Sequence, residues 1–238
     1  MNISLADGRS WWTAPGRIVV FSLAATSIAC LLAEFYGVGS MRFWTCWILL
    51  PACVALAVIS LLDWRINDGK LARMVLLGTV AGLLAAVAYD LFRVPFVWSR
   101  EMHLASLIPP LKLFKVFPRF GAMILGQAVE QPQYSSAAHI LGWTYHFSNG
   151  ATFGIMYVAM IGEAARRHWS WAVLMAVGLE LGMLLTPYPG VFGIRVTPTF
   201  VAVTLTAHLI FGVALGLYVF RSGRGDNPVL NNPPSCPH

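Results

Sequence analysis

Six runs of apolar residues, each close to twenty residues long and separated by charged punctuation, set the first constraint on this chain. An α-helix rises about 1.5 Å per residue, so about twenty apolar residues cross a hydrocarbon core of about 30 Å. The runs fall at about 17–38, 42–62, 71–92, 137–161, 169–188 and 198–220. They lack alternation at period two and are too long for barrel strands, which predicts helices. Composition agrees: of 238 residues, 58% are hydrophobic and only 11% charged, against about a quarter charged in soluble domains. The expected fold is all-α, a polytopic transmembrane helical bundle forming one domain over 1–221. The Pro- and Asn-rich tail at 222–238 is expected to be disordered. The first run follows a polar, Trp-containing leader with no Ala-x-Ala cleavage site, so it is expected to remain as a helix.

Lys and Arg favour the cytoplasmic side of a membrane. Arg9, Arg17, Arg65, Lys70, Arg73, Arg166, Arg167, Arg221 and Arg224 all fall on one side of a six-span arrangement, which predicts cytoplasmic termini. The long third connection breaks the pattern with Arg93, Arg100, Lys112, Lys115 and Arg119. Its stretch LIPPLKLFKVFPRF sets cations among Leu, Ile and Phe, as in an interfacial segment, and its prolines divide it into short, interfacial or re-entrant pieces. Lys112, Lys115 and Arg119 then either anchor the chain to anionic lipids or form a basic lid over an anionic or lipidic substrate. The net charge of +6 fits both. With no soluble basic domain, nucleic acid is not an expected partner. The chain carries no Walker loop, dinucleotide-binding glycine pattern, H-E-x-x-H or G-x-S-x-G, and its four cysteines form no C-x-x-C pair, so ATP-driven, zinc-protease and α/β-hydrolase chemistry are disfavoured.

An internal repeat is the most specific feature. HFSNGATFGIMY in the fourth run and HLIFGVALGLY in the sixth both contain H-x-x-x-G-x-x-x-G, at His146, Gly150, Gly154 and at His208, Gly212, Gly216. Spacing by four keeps histidine and glycines on one helical face, where a neighbouring helix or a flat ligand can approach the backbone. The third run adds a stripe of Gly78, Gly82, Ala86 and Asp90. Each repeated histidine lies about ten residues into its run, ~14 Å below the outer surface. Glu180 falls at a similar depth in the fifth run, and Asn149 shares the face of His146. Ionisable groups in hydrocarbon cost several kcal/mol unless they face the bundle interior, so His146, Asn149, Glu180 and His208 are the candidate centre. Asp90, Arg93 and His139, with Glu34, are expected above it as a polar entrance from outside.

Such a centre could ligate a haem b iron between two imidazoles, hold a divalent metal, relay protons, or supply acid and base to a lipid-soluble substrate. The blander alternative is that each histidine hydrogen-bonds a neighbouring helix and Glu180 is neutral or paired. The segments HILGWTYHFSNGATFGIMYVAM and TAHLIFGVALGLYVFR resemble small uncharacterised bacterial inner-membrane proteins, the YagU group, over about 137–221. That resemblance implies a multi-pass protein of the bacterial cytoplasmic membrane and supplies no catalytic residues. The leading expectation is a membrane protein that binds or passes a small ligand, proton or ion through the His/Glu centre. The alternatives are a membrane-embedded enzyme acting on a lipid or isoprenoid, and a non-catalytic subunit within a membrane complex or homo-oligomer.

Overall fold

A computed structural model describes residues 10–162 and 168–225. Arg9, Arg166 and Arg167, on which part of the expected orientation rests, lie outside the described residues, as do Cys236 and the tail from 226 onward. Among the described residues all regular structure is helical, with no strand. The main helices are α1 (Ala14–Phe35), α2 (Met41–Ile66), α3 (Lys70–Val97), α4 (Val116–Leu125), α5 (Ser136–Ile161), α6 (Ser170–Leu184) and α7 (Pro198–Gly225), with a single turn at Tyr188–Val191. Four of them, α1, α2, α3 and α7, are long and apolar enough to cross a membrane by length and composition. The long helix α5 carries His146, Ser148 and Asn149 at its middle, and α6 has 15 residues.

Local signals explain where the helices start and stop. Thr13 accepts a hydrogen bond from Gly16 N at the start of α1, Ser40 from Phe43 N at the start of α2, and Ser135 from Ala138 N at the start of α5; each satisfies an amide with no intrahelical partner. The Glu34 carboxylate accepts from Met41 N. Glu34 is thus a cap for α2, a correction to its expected place in the polar entrance. Asp63 is fully buried and accepts from Ala72 N at 3.0 Å, placing a carboxylate at the N-terminus of α3, where the helix dipole favours it. Between them Gly69 turns with φ +65°, a left-handed conformation that costs glycine little. A π-helical turn at Thr45–Leu49 widens α2 just before Pro51, accommodating the missing amide. The run ending at 188 stops earlier, at Leu184, before Pro187 and Pro189. The last helix outruns its expected limit at 220, so residues 222–225, expected in the disordered tail, are helical.

Small residues set the packing. A Cβ on Gly82 would lie 2.0 Å from Gly150 O, one on Gly154 would lie 2.0 Å from Gly78 O, and one on Gly150 would lie 2.7 Å from Ala86 Cβ. As numbering rises on α3 it falls on α5, so the two stripes meet antiparallel. The second repeat does the same with α6: a Cβ on Gly212 would meet Val173 Cα at 2.6 Å, and one on Gly216 would meet Trp169 O at 2.3 Å. The repeated glycines therefore seat helices, with no room for a flat macrocycle against them. Helix α4, only ten residues long, lies against the N-terminal half of α5, where Gly142 faces Phe117 O and Gly121 faces Ala138 O. Helix α7 packs on α3 and α6, and α1 packs on α5. Around these contacts two apolar clusters form, one including Leu71, Ala85, Tyr157 and Leu215, the other Phe35, Phe117, Tyr145 and Phe192. Outside them, α2 turns Trp47, Leu50, Val54, Val58 and Leu61 outward.

Candidate functional site

The two glycine registers carry each repeated histidine to a carboxylate on the neighbouring helix. With Gly82 on Gly150, His146 comes opposite Asp90, and its Nε2 lies 2.8 Å from Asp90 Oδ2. With Gly212 on Val173, His208 comes opposite Glu180, and its Nδ1 lies 3.4 Å from Glu180 Oε2 and 2.9 Å from Thr204 O. A carbonyl oxygen only accepts, so Nδ1 of His208 carries a proton and Nε2 is left without a partner among the described residues. Asp90 also faces Arg93 at 3.2 Å; with His146 Nε2 donating to Asp90 Oδ2, Nδ1 of His146 is left as the acceptor. Both pairs are well enclosed: Asp90, Arg93 and Glu180 are each less than a tenth exposed.

Tyr89 joins the two pairs. Its ring centre is 4.9 Å from that of His208 and 6.0 Å from that of His146. The Arg93 guanidinium lies 4.6 Å over the Tyr89 ring, with Phe114 and Phe117 at 5.1 and 5.4 Å, an arrangement that compensates a desolvated cation. Arg93 donates through Nη1 to Asp90 and through Nη2 to Leu113 O at 2.9 Å, while its Nε is buried with no hydrogen-bond partner. Phe117, delivered by α4, has its ring 4.3 Å from that of His146.

Most of these groups line two adjoining cavities, with Asp90 behind His146 and outside both linings. The inner one, about 330 Å³, takes in His146, Asn149, Glu180, His208, Tyr89 and Arg93, and mostly apolar side chains besides, including Ile28, Leu31, Phe153 and Met183. The outer one, about 430 Å³, is lined by Lys112, Lys115, Arg119, Arg195 and Arg93, with Glu180 its only carboxylate. Tyr89, Arg93, Val116, Glu180 and Tyr188 belong to both. Arg119 is tied down by Glu130 and Phe192 O.

Most of the residues singled out in the sequence thus converge, with changed roles. Asp90 and Arg93 belong to the centre itself, a correction to their expected place above it, because the α3–α5 register brings Asp90 directly onto His146. Asn149 lines the inner cavity, but its side-chain oxygen accepts from Ser27 Oγ and fastens α5 to α1. His139 lies apart: it is exposed, its ring 6.3 Å from that of Tyr134, and it lines neither cavity. The haem reading does not fit, since Tyr89 lies between the imidazoles, His146 Nε2 is held by Asp90, and the glycine faces are filled by helices. For a metal, no group of three or more His, Cys, Asp or Glu converges among the described residues. The sequence reading missed Tyr89, although it stands beside Asp90 and four residues before Arg93, on the same face. It also missed Arg195, which lies beyond the last short turn and carries no pattern of its own. Neither a family model, a curated protein nor a solved structure matches the chain.

Proposed function

We propose that this is a multi-pass membrane protein that binds a small ligand in the inner cavity and exchanges protons with it through two histidine–carboxylate pairs. One observation carries the reading: His146, His208 and Glu180 line a single largely apolar cavity, with Asp90 paired to His146 behind it, and each imidazole keeps one nitrogen unpartnered among the described residues. An imidazole ordinarily titrates near neutral pH. A carboxylate behind it fixes its tautomer and stabilises the imidazolium once a proton is taken up. The unpartnered nitrogens, His146 Nδ1 and His208 Nε2, are then the acceptors offered to a hydroxyl or other donor on the ligand.

In this reading six helices cross the bilayer, with both termini cytoplasmic in a bacterial inner membrane. The 26 residues of α5 give about 39 Å of helix, enough to span, and its polar groups turn inward to Asp90 and Ser27. The shorter α6 completes a crossing with the turn at Tyr188–Val191, and α4 is a re-entrant piece covered by α5. Of the cations that depart from the positive-inside pattern, Arg93, Lys112, Lys115 and Arg119 then form part of the outer cavity wall.

The experiment is native mass spectrometry of the protein purified in a mild detergent. Wild type should carry a small-molecule adduct that is lost in the double variant His146→Gln, Glu180→Gln, with helical content unchanged. A wild type without any adduct, or an adduct equally retained by the double variant, sinks the reading. A membrane-embedded enzyme acting on a lipid or isoprenoid is favoured by the same carboxylate-backed imidazoles, which have the arrangement of a general base. It requires an altered lipid profile in cells whose only copy carries Glu180→Gln.

A further inference from the structure

Not all the glycines in the bundle pack against helices. Gly178 and Gly182 repeat the four-residue spacing on α6, yet a Cβ added to either would meet nothing within 4 Å. Both line the inner cavity. Both glycines are exposed, and Ile28, Leu31 and Leu32 of α1 line the same cavity, so bare backbone and aliphatic side chains together make an apolar slot there. Helix α1 packs on α5 and α2, and α6 on α7, which leaves the slot between two helices that belong to different pairs.

The other end of the site has the opposite character. In the outer cavity five cations face one carboxylate, and Lys112, Lys115 and Arg195 are exposed and have no ion-pair partner among the described residues. At the neck, Arg93 is 4% exposed, borders both cavities and has an Nε without a hydrogen-bond partner. A buried, unused donor of a charged group is costly unless something accepts from it. Guanidinium and ammonium groups together favour a tetrahedral oxyanion.

We infer that the ligand is a long-chain anionic amphiphile, with its phosphate-like head among Arg93, Lys112, Lys115 and Arg195 and its hydrocarbon chain in the slot against Gly178 and Gly182. The inference rests on the ligand-binding reading of the centre and names the class of ligand. The chain passes the two histidine–carboxylate pairs at the neck, so the atoms joining head to chain are those the imidazoles meet. The glycines keep the slot wide enough for a chain lying along α6, and the cations select the charge of the head.

The test uses the full chain in neutral maltoside micelles, with hexadecyl phosphate as the probe and inorganic phosphate and hexadecanol as controls for head and chain alone. Hexadecyl phosphate should raise the unfolding temperature and bind with measurable affinity, while each control binds about tenfold more weakly or worse. Gly178→Leu should not lower the unliganded unfolding temperature, since no neighbour stands within 4 Å of the added Cβ and leucine favours a helix interior over glycine. It should weaken hexadecyl phosphate binding about tenfold or more, the effect of displacing a few buried methylenes. Lys112→Gln with Lys115→Gln should weaken hexadecyl phosphate and leave hexadecanol as it was. Equal binding of inorganic phosphate, equal binding of hexadecanol, or undiminished binding by Gly178→Leu each overturns the inference. A wild type indifferent to hexadecyl phosphate, yet carrying an adduct lost in the His146→Gln, Glu180→Gln variant, overturns the amphiphile and leaves the reading of the centre standing.

Discussion

At the scale of single residues, the centre depends on Asp90, which serves two partners at once. Its carboxylate faces Arg93 and His146, so Asp90→Asn leaves a buried guanidinium without a counter-charge. Breaking a buried pair from one side costs about 3–5 kcal/mol, and reversible unfolding in micelles followed by tryptophan fluorescence should show a loss of that order. Glu130→Gln is the comparison: Glu130 is 72% exposed, and an exposed pair contributes about 0–1 kcal/mol. A similar loss in both variants contradicts the assignment. His146, Glu180 and His208 were legible in the sequence as candidates for the centre, because a polar group inside an apolar run needs a partner wherever the run ends up; Asp90 and Arg93 were expected above them. Tyr89 and Phe117 were not, since an aromatic ring in an oily helix looks the same whether it fills a core or a site. His139, expected in the polar entrance and without the glycine repeat of His146, lies seven residues before it on the helix and is exposed.

At the scale of elements, the glycine spacing marks faces and leaves their occupants unspecified. Gly82 meets the backbone of α5, and Gly178, with the same spacing signature, meets nothing. Gly82→Ala should therefore push α3 from α5 and destabilise the fold by about 1–3 kcal/mol, the usual cost of overpacking. Thermal unfolding of this variant beside wild type is the measurement, and an unchanged midpoint would show that the two backbones are not in contact. The same substitution moves His146 from Asp90, because the register that seats the glycines also seats the pair. Helix α5 shows why hydropathy by itself undervalues such an element: its HFSN stretch lowers the apolar score, yet those side chains face protein partners. Proline placement was legible in the short pieces between α3 and α5, whereas the early end of α6 before Pro187 was not, the run having been expected to reach 188.

At the scale of the whole molecule, the six-span arrangement makes a prediction about sidedness. In a background with the native cysteines replaced by alanine, a membrane-impermeant maleimide should label Lys112→Cys from outside intact cells. Asp68→Cys and Arg224→Cys should react only after permeabilisation. All three side chains are exposed, so labelling reports the side on which each stands; Asp68 and Lys112 reacting together would mean that α3 does not cross, and Arg224 reacting with Lys112 would mean that α5, α6 and α7 do not all cross. The sequence by itself determined that the chain is helical and membrane-like, that small-residue faces pack closely, and which ionisable groups must turn inward, because these follow from hydrophobic length, side-chain size and the cost of desolvated charge. Only the tertiary structure decided that His146 pairs with Asp90 and His208 with Glu180, that Tyr89 lies between them, and that the cations of a connection and a distant turn share one cavity. Those outcomes depend on the register at which helices meet, and register is set by the summed fit of two surfaces, which no single stretch of sequence contains.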